Sequence, residues 1–135
     1  MARPLLLLVA ALAAAPAAIA HHTYAMFDAT RATTLRGTVA RLEWRNPHVY
    51  LWVYVPRTEG GGYDLYAFEN GAVPVLERLG WSRDGFPVGA PVTVEFAPLK
   101  DGRHGGHIIR LTRGDGTTLI GSGVGHVRTP AGTVP

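Results

Sequence analysis

His48-Val49-Tyr50-Leu51-Trp52-Val53-Tyr54-Val55 is the stretch that decides the fold class. In an extended chain Val49, Leu51, Val53 and Val55 fall on one face and Tyr50, Trp52 and Tyr54 on the other, a strand pattern built from β-branched and aromatic residues. Asn46-Pro47 sets its start, because the residue before proline avoids the helical region and proline cannot donate to a ladder; Pro56 sets its end. Beyond the three glycines of Glu59-Gly60-Gly61-Gly62, residues 63–68 alternate again, which predicts a hairpin. Upstream, residues 33–44 predict a long curved strand whose phase is shifted by a bulge or sharp bend at Gly37.

Downstream, residues 72–79 are the one convincing helix, with Asn70 as its cap, Pro74 in its first turn, Gly80 as its stop, and Val73, Leu76 and Leu79 on one face. Residues 81–90 read as a loop, 91–97 as a fourth strand, 100–106 as a glycine-rich turn and 107–112 as a fifth strand. Gly114-Asp115-Gly116 then turns the chain into a short sixth strand at 117–120. This order predicts a mostly β fold, a small OB-like barrel of five to six strands with one short helix between strands 3 and 4. A half-open barrel or roll with the same elements is the competing arrangement. On the second strand the valine face is expected to fill the core, with the helix or the preceding arm covering the aromatic face; an exposed aromatic platform is the alternative.

The start of the chain reads as an export signal. Arg3 is the basic leader, residues 5–15 are an unbroken run of eleven apolar residues, and Ala18-Ile19-Ala20 is the small-x-small pattern at which signal peptidase cuts. The expected division is a signal peptide over 1–20, a single β-barrel domain with an N-terminal arm over 21–120, and a flexible tail over 121–135. The apolar run is shorter than the roughly 20 residues a membrane-spanning helix takes, so no transmembrane segment is expected. Localisation is expected to be exported and periplasmic. Loss of Arg3 leaves 12 basic against 10 acidic side chains out of the original 13 and 10, and the 17% of charged residues includes no basic run. Nucleic acid is therefore not an expected partner. With no cysteine, the fold relies on burial and backbone pairing, helped at most by an ion.

Cleavage after Ala20 makes His21 the new terminus, where an α-amine titrating near roughly 7.7–8.0 and the ring of the same residue can chelate one ion. Adding His22 and a histidine from the fold yields a set of nitrogen ligands of the kind that favours Cu(II). The fold histidine is His48, on the loop between strands one and two, and weaker candidates are His104 and His107 on the loop between strands four and five; OB-folds bind ligands with that pair of loops. An arm of about a dozen residues, at roughly 3.3 Å each, has the reach to bring His21 across. The plain alternatives are solvated histidines at the terminus, a His48 that only orients its loop, and His104 and His107 on a glycine loop, Gly105-Gly106, too loose to fix a geometry; His126 in the tail has no expected role. Glu69 is open to three readings: acceptor for helix N–H groups, partner of an arginine, or oxygen ligand. Ser82 and Ser122 are the only serines, and neither a cysteine nucleophile, a phosphate loop nor an HExxH motif occurs, so nucleophilic hydrolysis is not expected.

His21-His22-Thr23-Tyr24-Ala25-Met26-Phe27-Asp28, Leu35-Arg36-Gly37-Thr38-Val39, Trp44-Arg45-Asn46-Pro47-His48, Phe68-Glu69, Leu79-Gly80-Trp81 and Pro98-Leu99-Lys100-Asp101-Gly102 together resemble a family of small exported bacterial proteins classed as a domain of unknown function. The resemblance runs from His21 to about Ile120. It implies export and a small β-rich domain, supplies no activity, and includes the double histidine and Asn-Pro-His but not His104 or His107. The leading functional expectation is a non-enzymatic periplasmic binding protein that holds a copper-type metal ion or a small ligand at His21, His22 and His48. The alternative is a structural or interaction module for another envelope protein, and a copper oxidoreductase is a third.

Overall fold

The computed structural model describes residues 24–123. In chain order they form β1 (Thr33–Glu43), β2 (Tyr50–Pro56), β3 (Tyr63–Glu69), the helix α1 (Val73–Arg78), a 3-10 turn at Arg83–Gly85, β4 (Pro91–Pro98), β5 (Gly105–Arg113) and β6 (Thr118–Ile120). The strands run β3-β2-β1-β4-β5-β6, and a further parallel pairing of β3 with β5 closes the first five into a barrel with β6 as an extra strand on β5. This is a mostly β fold with the OB order of strands and one short helix between β3 and β4. The closed form removes sheet edges that a half-open roll would leave.

β1 is long because it serves two neighbours. Its first half pairs with β4 from Thr33↔Phe96 to Thr38↔Pro91, and its second half pairs with β2 from Thr38↔Tyr54 to Glu43↔Tyr50. The irregularity in its ladder lies between Val39 and Arg41, not at Gly37 as the sequence suggested. Gly37 answers a different demand, close approach: a Cβ there would collide with the Tyr54 carbonyl and with Val53 Cγ1 at 2.6 Å.

The valine face of β2 is core as expected, with Val49, Leu51, Val53 and Val55 buried beside Val39, Phe68, Val94, Ile108 and Leu111. The aromatic face is covered by neither helix nor arm. Arg41 lies 4.3 Å over the Trp52 ring, Trp52 Nε1 donates to Glu43, and Tyr54 meets Tyr63 edge-on, so charged side chains and other rings shield it in part. Helix α1 is narrower than expected: Leu76 is fully buried, Val73 only half so, and Leu79 is exposed. Trp81 stacks near Phe86 and ties the end of the barrel to β6 by donating from Nε1 to the Ile120 carbonyl (2.8 Å).

The arm, in its described part, is pinned to the β4–β5 turn. Phe27 forms a bridge with Leu99 and is buried against Ala97, while Asp28 N donates to the Pro98 carbonyl and Lys100 N to that of Met26. The signal segment, His21, His22 and the tail with His126 lie outside the described residues.

Candidate functional site

Tyr50 opens β2 and stands opposite Glu69 in the β2–β3 ladder, and His48, two residues earlier in the segment leading into β2, reaches the same carboxylate. Glu69 is 5% exposed and accepts from both: His48 Nδ1 on Oε1, and the Tyr50 hydroxyl on Oε2 at 2.8 Å. As donor to the carboxylate, His48 has a proton on Nδ1, and its Nε2 has no partner among the described residues. Two of the three readings of Glu69 are thereby set aside: among the described residues it takes no helix N–H and no arginine. The Tyr50 hydroxyl is pushed up to about 12, by burial first and then by the hydrogen bond to Glu69 and its charge.

β5 delivers the next member. The parallel register sets His107 beside Glu69, and the ring is 1% exposed, with Tyr24 and Phe27 of the arm each 5.4 Å away centre to centre. His107 is thus a strand residue, in keeping with the fifth strand read over 107–112, and it lies under an aromatic roof. Burial holds it below the ordinary histidine value; the Ile108 carbonyl and the Glu69 charge oppose that, and His48 adds to it. Gly105 and Gly106, expected to be loose, are the seam of the barrel: a Cβ on Gly105 would collide with the Ala67 carbonyl, and one on Gly106 with the Ala97 carbonyl and the Phe96 ring. His104 goes elsewhere, stacked on Tyr66 at 4.6 Å and 6°.

The expected cap of α1 is corrected as well. Ala72 holds the cap position, and Val73 N donates to Asn46 Oδ1 at 2.9 Å, so the Asn-Pro-His loop caps the helix from across the cleft. Asn70 is fully buried and receives Gly71 N and Ser122 N on Oδ1, which leaves its Nδ2 and the nearby Ser122 Oγ without partners among the described residues. Tyr24, Pro47, His48, Gly71 and Ser122 help to line a cleft of about 270 Å³. Tyr50, Asn46 and Asn70 were missed as site residues; the two-residue spacing of His48 and Tyr50 on a strand was the available signal for the first.

Among the described residues, no group of three or more His, Asp or Glu side chains is arranged to hold a metal ion. No helix among them is long and apolar enough to cross a membrane. Fold and site together define a small closed β-barrel with a His–Glu–Tyr cluster on its outer wall, beside a histidine roofed by the N-terminal arm. The sequence signature of a family of unknown function (DUF6152) matches residues 9–108, and the chain belongs to that family. No curated protein and no solved structure matches it. The family description assigns no reaction.

Proposed function

We propose that the protein is a non-enzymatic, exported periplasmic binding protein that holds a copper-type ion with His48 and the processed terminus, His21 and His22. The observation that carries this is the engagement of His48 Nδ1 by a buried carboxylate, which is how metal-binding histidines are oriented and made more basic while Nε2 faces the ion. The terminus is near by connectivity: Tyr24 lines the same cleft as His48, and the three residues back to His21 span at most roughly 10 Å. Because His48 brings one ring nitrogen to this cleft, while His104 stacks away on Tyr66, the α-amine and rings of the terminus are needed to complete the ligand set. Export rests on the leader, apolar run and small-x-small pattern of the first twenty residues.

A second reading, an interaction module of the cell envelope, is favoured by one observation: Tyr54, Tyr63 and Leu65 are all exposed on the β2–β3 hairpin. Calorimetric titration of Cu(II), then Zn(II), into mature protein beginning at His21 separates the two. The metal reading expects one-to-one binding that is lost when Gly-Ser precedes His21 and in His48→Ala with the fold intact. Binding no tighter than that of a peptide copying residues 21–28 would overturn it and leave the hairpin surface as the functional face.

A further inference from the structure

Arg113 ends β5 and lines a groove of about 310 Å³ that shares no residue with the His48 cleft. Phe86, Pro87, Ala90, Pro91 and Val92 give it apolar walls. Two glycines line it: a Cβ on Gly85 would meet Ser82 Oγ at 3.0 Å and Arg113 Nη1 at 3.6 Å, and one on Gly114 would stand 2.6 Å from Pro91 Cγ. Arg113 Nη1 therefore lies beside the bare backbone of Gly85.

Its Nε is buried and has no hydrogen-bond partner among the described residues, and no carboxylate there is within ion-pair distance of it. A desolvated N–H on a charged group is costly to leave unpaired. Asp115 also lines the groove; its carboxylate accepts from Thr117 N at 2.8 Å in the hairpin turn and feels the Arg113 charge without reaching ion-pair distance of it. An adjoining groove of about 130 Å³ shares Arg113, Pro91, Val92 and Gly114 and adds Arg36, so positive charge flanks both sides of the β5 end.

We infer that this groove binds a small organic monocarboxylate, its carboxylate on the Arg113 guanidinium and its apolar body on Phe86, Pro87 and Pro91. The guanidinium fork matches a carboxylate with two parallel N–H···O bonds. Asp115 repels a second negative charge, and apolar walls offer a bare inorganic anion nothing. The volume is at the low end of the roughly 300–1,000 Å³ of ligand sites, which limits the body to the size of a six-carbon chain or one aromatic ring.

The test is a titration of the mature chain with hexanoate and with benzoate, followed in ¹⁵N-resolved spectra at Arg113 Nε–H and at the Gly85 and Gly114 amides. A chelator is present throughout, so the result is independent of the metal reading. Saturable shifts at these three groups with a dissociation constant of about 1 mM or lower are expected. Arg113→Gln should weaken binding at least about tenfold, and Arg113→Lys, which keeps the charge without the fork, should also weaken it. Gly85→Val fills the groove with Arg113 in place and should abolish the shifts, a check that stands if Arg113→Gln proves unstable. Three results would each overturn the site: no saturable shift up to about 50 mM ligand, shifts centred outside the groove, or inorganic phosphate competing as well as hexanoate.

Discussion

His48, Tyr50 and Glu69 form a unit whose state can be read from the tyrosine. The phenol sits at about 12 against an ordinary 10.0, so the folded chain keeps a proton that the unfolded chain releases. Its contribution to stability is complete below pH 10 and is lost as pH rises toward 12. In Glu69→Gln the phenol should ionise at lower pH, yet still above 10.0, because burial is the larger cause. Ultraviolet titration of tyrosinate absorbance checks this, and an unchanged Tyr50 titration would remove Glu69 from the account. His107 works in the opposite sense. Its folded value lies below 6.5, so the unfolded chain binds the proton first; stability is intact above 6.5 and falls as pH drops below it. Urea midpoints measured from neutrality to about pH 5 should fall for the native protein and fall less for His107→Phe, whose ring suits the neighbouring Tyr24 and Phe27. At this scale the sequence offered His48 by its position after Asn46-Pro47. Its partner, Glu69, is 21 residues away and becomes its neighbour only through the β2–β3 register.

Helix α1 shows how an element borrows what its own sequence lacks. It is six residues long, too short to be stable alone, and its cap comes from Asn46. Asn46→Ala should cost about 1 kcal/mol in urea unfolding while Asn46→Asp, which keeps the acceptor, should cost much less. The nearby Asn70 had the right residue type and the right distance before the helix, and its side chain instead turns inward to hold Gly71 and Ser122. Local spacing cannot distinguish two asparagines when one acceptor comes from another loop. β5 teaches the same lesson with glycine. Gly105-Gly106 reads as loop by composition, whereas in the barrel it is the place where β3, β4 and β5 come too close for any Cβ. Gly106→Ala should destabilise by about 3 kcal/mol, the cost of forcing a methyl into packed backbone, or open the β3–β5 seam. A denaturant midpoint within error of the native one would contradict the closed barrel.

Across the whole molecule one core runs through all the barrel strands, α1 and β6, so unfolding should be a single event. Tryptophan fluorescence, dominated by burial changes at Trp81, and far-ultraviolet dichroism should give coincident urea transitions; separate transitions would mean that the α1–β6 end melts independently of the barrel. The sequence by itself determined the mostly β class, the element order and the valine face of β2, because alternation, proline and glycine act within a few residues. It also singled out His48. Only the tertiary structure decided the β3–β5 closure, the burial of His107 beneath Tyr24 and Phe27, the pairing of Glu69 with His48 and Tyr50, and the partial shielding of the β2 aromatic face by Arg41, Glu43 and Tyr63. Each of these depends on the registers that a closed barrel imposes between strands remote in sequence, and register is fixed by packing of the whole core rather than by any one segment.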